Sequence, residues 1–535
     1  MKKTIFAVFM ALTLVSCTTK TTYPYAYLYE GLEFEMPRVE APAFPPREVS
    51  IEDFGGVGDG LKLNTEAFNT AFETLSSQGG GSLIVPKGVW LTGPIVFQSN
   101  VCLHLEKAAL ILFTQDKSAY PVIKTSYEGR ETWRCQSPIS GRNLENIAIT
   151  GQGAINGSGQ VWRPLKRDKV TEGYWKKVVA SGGALKTPNY WLPSQKAVEA
   201  EQMGAHERNA MTGTDWSAFK EFLRPVMVSF IECRNVLLQG VLFENSPSWN
   251  IHPLMCENLI IDNVFVRNPA YAQNGDGLDI ESCKNVLVLN STLDVGDDAI
   301  CIKSGRDAEG RRRGRPTENV IVDNCLVFKG HGGFVVGSEM SGGVKNIAVS
   351  NCNFIGTDVG LRFKSTRGRG GVVENIYIRN ISMIDIVTEA LRFNLYYGGK
   401  SASEALEDGD QSPQEELIPP VSETTPVFRN IFIRDVISHN SRRAMLFNGL
   451  PEMNIQNILI ENSVFTAQIG AELTESSQIT LNNVGIYPQE GPALLLHNIR
   501  NLEAKSIKIP EKLENPVRIS GKRNQDIVLP ENLSN

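Results

Sequence analysis

The sequence carries no excess of basic charge, no apolar run long enough to cross a bilayer, and no compositional bias. Its 53 lysines and arginines are outnumbered by 59 aspartates and glutamates, giving a net charge of −6. A mildly acidic chain is a poor match to nucleic acid as a main partner, although local clusters still govern binding of smaller anions. The apolar run from Ile5 to Val15 is too short for a membrane-spanning helix. Glycine (47) and proline (27) are at ordinary levels for 535 residues, which excludes a fibrous or low-complexity chain. What is left is a folded protein larger than one usual core. Several domains or an elongated repeat is therefore expected, as a monomer.

The N-terminus has the order of an export signal, with Lys2 and Lys3 ahead of the apolar run. That run ends in Leu14-Val15-Ser16-Cys17, which resembles the lipobox of bacterial lipoproteins. The resemblance implies a signal peptide over residues 1–17, lipidation at Cys17, and a mature chain anchored to a membrane without spanning it. Simple secretion with an incidental cysteine is the alternative. Thr18 to Thr22 hold no acidic cluster of the kind that favours an outer-surface address in some bacterial lipoproteins. The periplasm is accordingly favoured over the cell surface. Residues 18–48, rich in Pro and Tyr, read as a tether.

Eight cysteines remain beyond Cys17, an even number that invites a disulfide reading in an exported protein. Their placement argues for another role. Cys233, Cys256 and Cys283 each lie two residues before the Asn of an Asn-Val or Asn-Leu pair, and Cys325 and Cys352 lie six residues after such an Asn. Thiols at equal register stack well as small apolar fillers, so buried free-thiol ladders are expected.

The Asn frame itself is a repeat. Asn146-Ile-Ala-Ile, Asn235-Val-Leu-Leu, Asn258-Leu-Ile-Ile, Asn285-Val-Leu-Val, Asn319-Val-Ile-Val, Asn346-Ile-Ala-Val, Asn375-Ile-Tyr-Ile, Asn430-Ile-Phe-Ile and Asn457-Ile-Leu-Ile share it. Steps of 23 and 27 (235 to 258 to 285) widen to 55 between 375 and 430, either two coils or one coil with a loop. Short β-rich strands at a long period define a β-solenoid, in which stacked coils share one core. Leucine-rich repeats have a similar period but need a Leu frame that is absent. Asn suits a turn, where its amide can bond local backbone and the Asn of the next coil.

The expected fold class is all-β, a parallel β-helix over residues 49–510. Residues 49–57 and a helix from Asn64 to Ser76 form its entry cap. Two inserts interrupt it, 157–225 with four of the seven tryptophans and an acidic loop at 401–426. Residues 511–535 are a loose tail or cap.

Four strands end alike and carry charged chemistry: Asp276-Gly-Leu-Asp-Ile-Glu-Ser282, Asp298-Ala-Ile-Cys-Ile-Lys-Ser304, Gly332-Gly-Phe-Val-Val-Gly-Ser338 and Val359-Gly-Leu-Arg-Phe-Lys-Ser365. Alternation sends Leu278/Ile280, Ile300/Ile302, Phe334/Val336 and Leu361/Phe363 inward. The outward partners are Asp279/Glu281, Cys301/Lys303, Val335/Gly337 and Arg362/Lys364. Leu391-Arg392-Phe393 continues the frame and sets Arg392 in the column of Arg362. The same alignment stacks Asp276 on Asp298 and puts Asp297 beside His331. An Asp-Asp pair alone is usually turn chemistry, and a His between glycines can merely tolerate an unusual backbone angle. Their shared register makes one site the better reading.

This constellation resembles glycoside hydrolase family 28, the polygalacturonases and their pectinase relatives. The matching motifs are Asn274-Gly-Asp276 (usually Asn-Thr-Asp), Gly296-Asp297-Asp298, Gly330-His331-Gly332 and Arg362-Phe-Lys364 (usually Arg-Ile-Lys). The resemblance covers about residues 50 to 500 and is nearest in look to bacterial exo-acting members. It implies a right-handed coil that needs no metal or cofactor, with Asp297 as general acid. Asp276 and Asp298 would activate water, with inversion at the anomeric carbon. His331 would support the shared charge state. Arg362 and Lys364 would bind a uronate carboxylate, with Arg392 as a second contact and Asn274 and Lys303 as further substrate contacts. Lys303, like Asp279 and Glu281, could instead pair along its ladder.

The implied activity is hydrolysis of α-1,4-galacturonosyl linkages in pectin or polygalacturonate, exo-acting because the long insert could block one end of a cleft. Endo cleavage and a rhamnogalacturonan or xylogalacturonan linkage are nearby alternatives. A β-helix polysaccharide lyase or a non-catalytic carbohydrate-binding protein is more distant.

Overall fold

A single file of asparagine side chains runs the length of the coil. In the computed structural model, which describes residues 23–397 and 418–533, the amide of each frame Asn donates from Nδ2 to Oδ1 of the Asn one coil earlier. The file passes from Asn457 through Asn430, Asn375, Asn346, Asn319, Asn285, Asn258, Asn235 and Asn146 to Asn100, at 2.8–3.3 Å per step. Every one of them has a positive φ, from 51° to 63°. Asn tolerates this left-handed turn better than other residues with a β-carbon. Its amide is both donor and acceptor, so the chain of bonds can continue without end. The 55-residue step is one coil with a loop, because Ile376 pairs directly with Ile431.

Behind each Asn the strands pair in parallel with the coils above and below: Glu145–Gly151, Arg234–Gln239, Glu257–Asp262, Lys284–Leu289 and Thr317–Asp323 continue into the long strands from Val344–Ile355 onward. In Asn258-Leu-Ile-Ile the residues Leu259 and Ile261 join one continuous core. Its aromatic column includes Phe363 and Phe393, stacked at 4.4 Å and 3°. All eight cysteines of the described residues are buried and free. Cys256 and Cys283 give their thiol hydrogens to the carbonyls of Phe230 and Pro253, at 3.2 and 3.3 Å. The helix Thr65–Ser77 covers the first coil with Phe68, Phe72 and Leu75, each fully buried.

Two expectations need correction. Residues 23–47 are not a free tether. They form a strap whose Leu28, Val39, Tyr25, Tyr29, Leu32, Phe34, Met36 and Phe44 pack on an outward row: Cys102, Ala148, Leu237, Ile260, Leu287, Ile321 and Ala348. Each of these is the middle residue of an unbroken apolar run. A strand apolar on both faces needs cover on both, and the strap supplies the second cover. The C-terminal residues are also more than a loose tail. Val517–Ser520 pairs with the segment Leu494 to His497 and Gln525–Val528 with Arg500 to Glu503, carrying the coil beyond residue 510. Leu533 then plugs the core.

The tryptophans of the insert are packing residues. Trp162, Trp175, Trp191 and Trp216 are all buried in side clusters against the coil. The insert adds a small antiparallel sheet (Leu165–Lys166, Tyr190–Leu192, Ala184–Thr187) and the helices Glu172–Ala180, Gln195–Gln202 and Ala205–Ala210. A hairpin, Val122–Tyr127 with Arg130–Cys135, stands beside it. The signal peptide, Cys17 and residues 401–417 of the acidic loop lie outside the described residues.

The Asn file predicts a graded effect on stability. Asn258→Ala loses bonds to two coils and a favourable left-handed turn, and should destabilise the fold by about 3 kcal/mol. Asn258→Gly keeps the turn and should cost about half as much. Urea unfolding of both variants checks this: equal losses would show that the left-handed turn contributes nothing, and an Asn258→Gly variant as stable as the parent would show that the amide bonds contribute nothing.

Candidate active site

In-register pairing builds the site. Leu278–Glu281 pairs with Asp298–Lys303, that strand with Gly332–Gly337, and the series continues through Leu361–Lys364 to Glu389–Asn394. Leu278, Ile300, Phe334, Leu361 and Leu391 form an inward column. Asp279, Cys301, Val335, Arg362 and Arg392 form its outward neighbour, as alternation requires. At the start of these strands the carboxylates of Asp276, Asp297 and Asp298 converge, with one oxygen of each within 4.8 Å of the others. Close approach of the backbones needs glycine here. A β-carbon on Gly277 would sit 2.6 Å from the carbonyl oxygen of Ala299, and one on Gly330 would sit 2.7 Å from that of Asp297. Gly330 also has a positive φ of 85°, which turns His331 back over the preceding coil.

The three carboxyls have different environments. Asp298 is almost wholly covered, and its oxygens accept from Lys364 Nζ at 2.6 Å and Arg362 Nη1 at 3.1 Å. Burial opposes its ionisation, but Lys364, Arg362 and Lys303 outweigh that cost and hold the carboxyl well below the usual range. Asp276 is buried with Oδ1 unpartnered, and burial, with Asp279 and Asp297 nearby, pushes its acidity the other way. Asp297 is the open member, its side chain 21% exposed against 2% for Asp298. It is fixed by the backbone N–H of Asn274 at 3.3 Å and by His331 Nδ1 at 3.1 Å. The bond to Asp297 raises the pKa of His331, whose backbone N–H also donates to the Asp297 carbonyl at 2.9 Å. The arrangement can therefore hold a proton on one buried carboxyl beside a fixed anion, with an accessible carboxyl between them.

The trio is the one group among the described residues in which three such ligands approach so closely. Both oxygens of Asp298 and Oδ1 of Asp297 already have cationic or imidazole partners, so protein groups meet much of its charge.

The expected sugar-binding cations stand differently. Arg362 and Lys364 are brought to the site, but their direct partner is Asp298 rather than open cleft, with Lys364 7% exposed and capped by the Tyr397 ring at 5.0 Å. Lys303 is not a cleft contact. It lies buried between Asp279 (3.5 Å) and Glu339 (3.1 Å) under the Trp249 ring, because an unneutralised column of acids would be too costly inside the wall. Arg392 shares the Arg362 column and binds Glu389 at 3.3 Å. Asn274 accepts a bond from Arg224 Nη2 at 2.7 Å, so its side chain organises the turn.

Sequence reasoning missed a buried triad next door, in which His252 Nε2 meets Glu281 Oε2 at 2.8 Å and Arg313 meets Glu281 Oε1 at 2.6 Å. His252 lies in Ile251–Leu254, a strand without the Ser-ended spelling, and nothing local marked it. Arg134 and Arg224 were also missed, because the hairpin and the insert bring them in from outside the repeat. With Gln273 and Asn274 they line a cavity of about 890 Å³ on the N-terminal side of the carboxylates.

A parallel β-helix with a carboxylate trio on one face defines a carbohydrate-active scaffold, and comparison with known proteins supplies the class. A family model described as glycosyl hydrolases family 28 matches residues 210–405. A hyperthermoactive exopolygalacturonase from Thermotoga maritima superposes with a TM-score of 0.67 at 34% identity, over 87% of this chain and 94% of that one. A probable polygalacturonase of Vitis vinifera is 28% identical over 524 residues, 94% of this chain and 92% of the relative. The exo-poly-α-D-galacturonosidase of Dickeya chrysanthemi is 27% identical over 369 residues, 67% of this chain and 58% of the relative.

The chain belongs to glycosyl hydrolases family 28. It is a polygalacturonase-like hydrolase on a right-handed parallel β-helix.

Removing the Lys364 cation tests the electrostatics. Lys364→Met should cost about 3 kcal/mol by removing the nearest cation from a buried Asp298. It should also raise the Asp298 pKa, since a favourable charge is lost, and the acid limb of the pH–rate profile should move upward. At the wild-type pair, stability gained from the lowered Asp298 is lost as pH falls, and that from the raised Lys364 is lost at high pH. An acid limb that stays in place would show that Asp298 does not control the rate.

Proposed function

We propose that this protein hydrolyses α-1,4-galacturonosyl linkages of pectin or polygalacturonate, working from a chain end. The observation that carries the exo reading is the cavity beside Asn274, walled by the hairpin and the insert where an open groove would run on. Likeness to the Thermotoga exopolygalacturonase and the Dickeya exo-poly-α-D-galacturonosidase supports it.

Asp297 is the general acid in this reading, since it is the accessible carboxyl and His331 fixes its orientation. Asp298, kept anionic by Lys364 and Arg362, takes the proton of the attacking water, and Asp276, pushed toward its protonated form with Oδ1 unpartnered, helps to hold that water in place. Inversion follows from the family resemblance. A retaining course is the second reading, favoured by oxygen spacing within 4.8 Å where inverting pairs are usually about 6.5–9.5 Å apart. The anomer released in the first turnovers, read by proton NMR, separates the two.

Asp297→Asn is expected to lose at least about 10³-fold in kcat while still binding oligogalacturonate. Sizing of early wild-type products should give a short product from the chain end, and an early ladder of oligomers would reject the exo mode. Absence of any new reducing ends would reject the hydrolase reading altogether.

The export reading completes the proposal: Cys17 is the lipidated N-terminus and the enzyme works on the periplasmic side of a membrane. A Cys17→Ser chain should leave the membrane fraction, and one that stays there would dismiss the anchor.

A further inference from the structure

Two residues that line the cavity beside the carboxylates have buried donors with nothing to bond. Nε and Nη2 of Arg134, on the second strand of the hairpin, are covered and have no hydrogen-bond partner, and neither has Nε2 of Gln273. Both residues line the cavity. The Arg134 guanidinium carbon lies over the Tyr127 ring at 3.8 Å from its centre, and that ring is fixed by its hydroxyl on Ser248 at 2.7 Å and by Trp249 at 4.6 Å. The guanidinium is thus oriented and desolvated with its hydrogen-bonding edge unsatisfied, an arrangement that calls for an anionic acceptor. Of the five lining carboxylates, three have other cations: Glu128 pairs with Arg306 at 3.5 Å, Glu131 with Lys124 at 2.9 Å and Glu201 with Lys186 at 3.0 Å, while Glu309 accepts from the backbone N–H of Glu131 at 2.8 Å. Arg224 is committed to Asn274 and to the carbonyl of Gln273. Asn274 in turn bonds Asp297, so a group seated here adjoins the reacting bond.

We infer that Arg134 and Gln273 form the receptor for the carboxylate of the terminal uronate, and that Arg134 sets the preference for an acidic sugar. This rests on the proposed hydrolase activity and deepens it. It also gives the uronate a cation other than Arg362 and Lys364, whose charge Asp298 takes up.

The test is steady-state hydrolysis of galacturonate oligomers by the full chain. Arg134→Gln should lower kcat/KM about 100-fold, mostly through KM with kcat within a few-fold, and Arg134→Lys should recover part of the loss. Free galacturonate should inhibit the wild type at least about tenfold better than galactose. Arg134→Gln should abolish that difference. Wild-type kcat/KM retained in Arg134→Gln overturns the assignment. If the Arg134 variants do not fold, the wild-type comparison decides, because equal inhibition by galactose and galacturonate overturns it as well. A wild type inert on every galacturonate oligomer would instead overturn the underlying hydrolase reading.

Discussion

Parallel pairing in strict register is the constraint on which this molecule depends. Strands about 4.8 Å apart place the same position of successive coils in one column, so every column must be chemically tolerable along its whole length. Inward columns meet this with Val, Ile, Leu, Phe and free Cys. The turn column meets it with Asn, whose amide can satisfy its neighbour without limit. A slip of one residue would turn the core side chains outward and scatter the carboxylates, so the register that stabilises the fold also defines the site.

The catalytic face is where a column mixes charges. Acids lie toward the N-terminal coils and cations toward the C-terminal ones, and the two meet at Asp298. That meeting separates the neighbouring carboxyls. Asp298 is held as an anion by buried cations, while Asp276, buried without them, is pushed toward its protonated form. Lys303, Glu339, Asp279, Glu281, Arg313 and His252 extend the buried network behind the face. Such a network is costly to assemble and costlier to break, which keeps the carboxylates in place.

Substrate selection depends on material outside the repeat. The hairpin and the insert place Arg134, Arg224 and Gln273 around a cavity at one end of the carboxylate row. Aromatic packing steadies this wall, with Trp162 against Tyr120 and Trp249 against Tyr127. The strap on another side has a purely structural task, covering an apolar column that no insert reaches.

Much of this was legible in the chain. The Asn frame fixed the coils and their turns, the Ser-ended strands fixed the catalytic register, and alternation sorted core from face, because each is a local rule repeated at regular spacing. The unbroken apolar runs already asked for a second cover, but not which segment would provide it. Tertiary structure alone decided that residues 23–47 lie on those runs, that Lys303 is buried between acids, and that Arg362 and Lys364 hold Asp298. It alone brought Arg134 and His252 to the site. Those are contacts between residues far apart in sequence, or between columns, where the balance of burial and charge depends on everything else that occupies the same space.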